Sequence, residues 1–357
     1  MLQAVMITPG RIEFREIPIP EPGVGEVLVR ILRIGVCGSD IHVYHGKHPY
    51  TTYPVVQGHE VSGSIERVGP GVKSLQPGDK VTLQPQVVCG HCLACTQGRY
   101  NICENLKVMG FQTTGTASEF FVVNAAKVLK LPDGLGYDEG ALVEPLAVAV
   151  HALARGGHIL GKKILVLGAG PIGNLVAQAA KGMGAEAVMI TDPSVYRLSK
   201  ARECGIDFCV DPTRQDLMLA LLEHFGPDRA DLVLECAGSG GVAIEQAIAC
   251  ARNGTDIIIV GVFGDRPPLD LARVQDRELR LVGTLMYQER DYVKAIQLIE
   301  TRKVSIPPLI TDRFDFKDYQ AAYEWIDMKR DQVMKVLVVV EAANPSKKDA
   351  RKLGEPD

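Results

Sequence analysis

From Lys162 onward, short apolar runs alternate with amphipathic stretches. One of those runs, Ile164–Leu167, passes straight into Gly168-Ala-Gly-Pro-Ile-Gly173 and then into a helical segment, Leu175-Val-Ala-Gln-Ala-Ala180. Strands this continuously apolar are buried on both faces, and the helices between them supply the crossovers that parallel strands require. Six runs fit the pattern: Ile164–Leu167, Ala187–Thr191, Phe208–Val210, Leu232–Glu235, Asp256–Val260 and Leu279–Val282. They predict an α/β unit with a doubly wound parallel sheet.

The glycine string adds a function to that architecture. Gly168 permits a tight turn after the strand, Gly170 lets a phosphate approach the backbone, and Gly173 lets the helix pack close. Ile172 lies inside the same turn. A pyrophosphate would then meet the free N–H groups of the helix N-terminus. Asp192 stands nineteen residues after Gly173, at the end of the next strand. There a carboxylate can accept from both ribose hydroxyls of NAD and repel the 2′-phosphate of NADP. Arg197, five residues further, is a candidate neighbour of the adenine.

Before Lys130 the pattern is different. Short β-rich runs, Glu26–Leu32, Val61–Val68 and Lys80–Leu83, are separated by Gly and Pro turns and read as a β-barrel-like unit. Within it, Cys89, Cys92, Cys95 and Cys103 are spaced by two, two and seven intervening residues, close enough to converge on one tetrahedral zinc. Four sulfur ligands leave no open position, so such a site is structural, and the negative charge of four thiolates calls for nearby N–H donors. His91 is surplus to that set.

A second group is dispersed: Cys37 in Cys37-Gly-Ser-Asp-Ile-His42, His59 and Glu60 after Gly58, and Glu144 in Val143-Glu-Pro-Leu146. Taken singly, each has an ordinary reading as a buried thiol, a satisfied histidine or an acid. As a set they resemble the zinc-containing medium-chain alcohol dehydrogenases over residues 1–340. Gly58-His-Glu-Val-Ser-Gly63 with Gly69 is similar to that family's zinc signature, and the cysteine group to its structural-zinc lobe. Glu144-Pro-Leu is similar to the sorbitol, threonine and butanediol dehydrogenase branch.

The resemblance implies a GroES-like β-barrel catalytic domain, 1–150 and 285–340, with a Rossmann NAD-binding domain, 151–284, inserted between its parts. It implies two zinc ions per chain, one catalytic at Cys37, His59 and Glu144, with Glu60 exchanging as a ligand or standing behind them. It assigns Ser39 and His42 to a proton relay, and Val260, Gly261, Val262, Leu285 and Tyr287 to the nicotinamide side. The implied substrate is a small alcohol or polyol with a secondary hydroxyl. A β-hydroxy amino acid, a diol, or a non-catalytic nucleotide-binding relative are the competing readings. Val43 and Met286 stand where the sorbitol-dehydrogenase pattern has a tyrosine and an arginine, which speaks against sorbitol itself. The loop His45–Tyr53 is rich in groups able to bond a hydroxylated substrate.

Composition narrows the partners. A net charge of −4 over 357 residues gives no basic field for nucleic acid or an acidic membrane surface. The first ten residues lack the pattern of a signal peptide, no run is long enough to span a membrane, and nine cysteines favour thiolates in a reducing compartment over bridges. A cytoplasmic protein with a polar tail over 341–357 is expected, and the resemblance implies a homo-oligomer, dimer or tetramer.

Overall fold

The computed structural model describes residues 1–238, 241–264 and 266–340, so the expected tail lies outside the described residues. Two sheets organise the chain. The first is six-stranded and wholly parallel, in the order Phe208–Val210, Ala187–Thr191, Lys163–Leu167, Ala230–Glu235, Ala251–Ile259, Arg280–Gly283. That order reverses direction on either side of Lys163–Leu167, which makes the carboxyl end of this strand the switch point of a Rossmann sheet.

Side-chain alternation explains why these strands are apolar throughout. Ile164, Val166, Leu232 and Leu234 face one core, whereas Leu165, Leu167, Val233 and Ile257 face another, and all are buried. Helices cover both faces. Pro171 begins the helix Pro171–Gly182, where its missing N–H costs nothing, and Ser194 caps Val195–Glu203 by accepting from the Arg197 N–H at 3.3 Å.

The second sheet is mixed and GroES-like. Its path runs Ile310–Asp315, Lys335–Val339, Glu26–Val36, Glu60–Val68, Lys80–Leu83, Val128–Lys130, and Phe120–Asn124 also pairs with Glu26–Val36. Lys335–Val339, near the end of the described chain, pairs antiparallel with Glu26–Val36, so the chain passes through the parallel sheet and returns. A hairpin, Leu2–Thr8 with Arg11–Glu16, turns at Pro9-Gly10, where Gly10 adopts φ +75°.

Two helices join the halves. Val143–Arg155 is apolar nearly all round, with ten of its thirteen residues buried, and Glu289–Glu300 packs beside it. A helix without a polar face belongs in a core. It carries Glu144 in its first turn. No helix among the described residues is long and apolar enough to cross a membrane.

Candidate active site

Cys37, His59 and Glu60 come from two adjacent elements. Strand Glu26–Val36 ends at the residue before Cys37, which caps the short helix Gly38–Tyr44, while Glu60 opens the neighbouring strand, with Gly35 opposite Glu60 in register. The pairing therefore brings the thiol beside the imidazole and carboxylate, and one potential ligand atom from each lies within 4.8 Å of the others. Gly58 is required before them. Its φ is +93°, and an added Cβ would come within 2.8 Å of Thr116 Oγ1.

Two groups behind the cluster, Asp40 and Lys335, fix its orientation. Asp40, fully buried, accepts from the Cys37 N–H at 2.9 Å and from Gln57 Nε2 at 3.1 Å, and its Oδ1 lies 3.5 Å from His59 Nδ1. Burial opposes charge on His59, but the Asp40 carboxylate outweighs it and raises the imidazole well above its ordinary value. Lys335, also buried, donates to both Glu60 oxygens at 2.7 Å and to the Val36 carbonyl at 3.2 Å. Burial alone would lower Lys335, and Glu60 reverses the sign.

Glu144 does not belong to the group within ligand distance; the carboxylate there is Glu60. It faces the group, since His59 and Glu60 both act on its charge, but its Oε1 accepts from the Tyr287 hydroxyl at 2.5 Å. Burial raises the Glu144 carboxyl to about 7. Tyr287, expected beside the nicotinamide, is completely buried and serves Glu144 instead. Sequence reading missed Asp40 and Lys335 as supports; Lys335 carried a signal as the one charge in the apolar run Val333–Val340, whereas Asp40 sits among Gly38, Ser39 and His42.

An aromatic wall was also missed. The Phe111 ring stacks on His48 at 4.7 Å and packs against His59 at 5.0 Å. His48 is thereby the member of the His45–Tyr53 loop that faces the cluster, lowered by burial with help from His42 and His59. Three other polar groups of that loop have protein partners, His45 with Asp327 at 2.7 Å, Thr51 with His48 at 2.8 Å and the Tyr53 hydroxyl donating to the Val43 carbonyl, whereas Lys47, Tyr50 and Thr52 are exposed. Ser39 is half-buried and His42 exposed on the same short helix.

The donor set suits a metal ion. Thiol, imidazole and carboxylate are the mixed sulfur, nitrogen and oxygen ligands of a zinc site that keeps a position open. The cysteine lobe suits a closed one. Cys89, Cys92, Cys95 and Cys103 have all four sulfurs within 4.8 Å of one another. N–H groups of His91 and Cys92 pull the Cys89 thiol down to about 6, while desolvation and its thiol neighbours push Cys95 up to about 12. The expected N–H donors are present.

At the switch point, Gly168 turns with φ +99° and Gly170 stands as the extended N-cap residue before the helix. Asp192 accepts from the Ala169 N–H and the Ser194 N–H, both at 2.8 Å, and Arg197 Nη1 stands 3.8 Å from it. Each carboxylate oxygen keeps a second lone pair for a ribose hydroxyl. Ile172 is half-buried at this turn. Val260 and Gly261 lie half-buried at the strand end, with Val262 and Leu285 exposed beyond them, so all four are open to a ligand.

The sequence matches two family models, the alcohol dehydrogenase GroES-like domain over 23–133 and the zinc-binding dehydrogenase over 171–301. It is 36% identical to sorbitol dehydrogenase of Homo sapiens, covering 90% of this chain and 92% of that one. It is also 36% identical to 2-dehydro-3-deoxy-L-galactonate 5-dehydrogenase of Pseudoalteromonas atlantica, over 89% and 92%. Among solved structures, galactitol-1-phosphate dehydrogenase from Escherichia coli superposes with a TM-score of 0.87 at 31% identity, covering 95% of this chain and all of that one.

Proposed function

The chain belongs to the zinc-binding alcohol dehydrogenase family, and from that premise we propose that it oxidises a secondary hydroxyl of a polyol, sugar alcohol or sugar acid with NAD. The observation that carries the reading is the convergence of Cys37, His59 and Glu60 below the Phe111 and His48 wall, with Glu144 facing them. Cys37 and His59 would hold the ion together with Glu60 or Glu144, and the cysteine lobe would hold a second one.

Zinc there would make a bound hydroxyl more acidic, and NAD would accept the hydride. The chain's own residues do the rest. Asp40 keeps the His59 ring turned toward the cluster, and Lys335 holds Glu60 to its side until a rearrangement frees it. Phe111 limits water at the reacting carbon. Ser39 would receive the hydroxyl proton and pass it through the nicotinamide ribose to His42, one turn along the same helix, and on to solvent; half-burial of the first and exposure of the second support that direction.

Asp192 at the end of Ala187–Thr191 favours NAD over NADP, with Arg197 beside it along the adenosine. Val260, Gly261, Val262 and Leu285 would border the nicotinamide. Carboxylates in place of a further thiolate make the site polar enough for a substrate with several hydroxyls. Nine unpaired cysteines fit a reducing cytoplasm, and a dimer or tetramer fits the family.

A substrate panel tests the proposal: sorbitol, inositols, aldonates, threonine and 2,3-butanediol with NAD, followed at the NADH absorbance. Turnover of a polyol or sugar acid above the others is expected. Preference for threonine or butanediol would move the substrate class, and no turnover of any alcohol would favour a nucleotide-binding protein.

A further inference from the structure

We propose that the cysteine lobe positions the Glu144 carboxylate, acting through the loop Leu285–Glu289, and that Asn101 is the positioning residue at the junction. The inference rests on the reading of Glu144 and Cys37 as one reaction site. It starts from an oddity: Met286 holds φ +49°, a conformation that a non-glycine residue keeps only where its surroundings force it.

The forcing contacts come almost wholly from the segment around the four cysteines. Gln86 Nε2 donates to the Tyr287 carbonyl at 2.8 Å, and Asn101 Nδ2 to the Leu285 carbonyl at 3.0 Å. Gln288 Nε2 returns bonds to the Gly98 carbonyl and to Asn101 Oδ1, each at 3.1 Å, and the Glu289 N–H donates to the Tyr100 hydroxyl at 2.6 Å. Both peptide neighbours of Met286 are thus gripped by their carbonyls. Gln86 and Asn101 are themselves buried, so these bonds have little competition from water.

The grip aims at one side chain. Tyr287 points its hydroxyl at Glu144 Oε1, 2.5 Å away, and its ring packs edge-on against Tyr292, which is tied in turn to the Leu83 carbonyl at 2.9 Å. The helix that carries Glu144 is held from the same place. Two turns along it, His151 Nε2 lies 3.3 Å from Asn101 Nδ2, and its Nδ1 lies 2.8 Å from Asp291 Oδ2, which also accepts from the Gln288 N–H. Asn101, two residues before Cys103, therefore touches both elements whose side chains meet at the Tyr287–Glu144 bond. A rotation of the lobe would move the hydroxyl relative to the carboxylate.

The test combines hydrogen exchange with a double-mutant cycle on the full-length enzyme. In Asn101→Ala and Cys95→Ser, amides of 285–289 should exchange at least about 10-fold faster, with 163–167 unchanged. Asn101→Ala should lower kcat about 10-fold with little change in KM, yet in a Tyr287→Phe background it should cost less than about twofold, because the path is already cut. Gln288→Ala, a half-buried position at the same loop, should reproduce a smaller version of both effects should Asn101→Ala fold poorly. Unaltered exchange over 285–289, or kcat losses that multiply in full in the double variant, overturns the proposal. A wild type that oxidises no alcohol instead refutes the reaction-site reading, and the exchange experiment then still decides whether the lobe grips the loop.

Discussion

Replacing Asp40 by Asn removes one charge at almost constant volume, and its consequence can be worked from three contacts. Asp40 Oδ1 lies 3.5 Å from His59 Nδ1. At an effective dielectric of about 20 that corresponds to a gross attraction of roughly 4–5 kcal/mol for a charged imidazole. The part that reaches metal affinity is smaller. Carboxylates behind a ligating histidine are worth about 10–100-fold, or roughly 1.4–2.7 kcal/mol, because they orient the ring and raise its basicity. A second effect is structural: Asp40 accepts from the Cys37 N–H and from Gln57 Nε2, both donors, whereas Asn must turn its own N–H₂ toward one of them. One buried donor is then stranded, which costs about 1–3 kcal/mol of folding stability. Urea unfolding of chelated protein reads the second effect, and competition against a chromophoric chelator reads the first. A variant destabilised by that amount whose catalytic-site zinc affinity changes less than about twofold would refute the claim that Asp40 acts on His59.

Lys335→Met leaves the Glu60 carboxylate buried without its cation and should cost about 3–5 kcal/mol by urea denaturation; adding Glu60→Met should recover most of that loss. In metal-free protein, burial holds the Glu144 carboxyl near 7, above its unfolded value, so its contribution to stability is complete below about pH 4.3 and is lost as pH rises through 7. Stability of the wild type should therefore fall by about 3 kcal/mol relative to Glu144→Gln between pH 4.5 and 7.5, measured by denaturation at each pH. Gly173→Ala drives a methyl group into the Gly168 carbonyl oxygen and should weaken NAD binding more than about 10-fold by fluorescence titration. Asp192→Ala should raise the ratio of NADP to NAD kcat/KM by at least about 10-fold; an unchanged ratio removes Asp192 from cofactor choice.

The parallel sheet was legible because its signals are local. All six runs form strands: Ala187–Thr191 and Phe208–Val210 keep the bounds read from sequence, and the other four shift at one or both ends. The largest departure is Ala251–Ile259, which starts earlier than Asp256 because Ala251 already pairs with Ala230. The first hairpin was missed although Pro9-Gly10 marks it: Ala4, Val5 and Met6 are buried in succession, so Leu2–Thr8 does not alternate, and its partner Arg11–Glu16 is largely exposed. The helix Val143–Arg155, with ten of its thirteen residues buried, was missed as well.

The site was legible as residue types, and less so as partners. Cys37, His59 and Glu60 lie close because neighbouring strands pair, a short-range consequence of sequence. Asp40 is local, three residues from Cys37, but two other contacts reach far along the chain. Lys335 reaches Glu60 across 275 positions and Tyr287 reaches Glu144 across 143, and only tertiary packing supplies such pairings. Tyr287 is the instructive case: the resemblance set it beside the nicotinamide, but its side chain turns inward to the carboxylate.

Metal analysis tests the central claim most directly. Wild-type protein should hold about two zinc ions per chain, and replacing both Cys37 and His59 by Ala should leave about one, in the cysteine lobe, with alcohol oxidation lost and the fold retained by circular dichroism. A wild type with zinc only in that lobe, or a double variant that keeps both its zinc content and its turnover, would contradict the account.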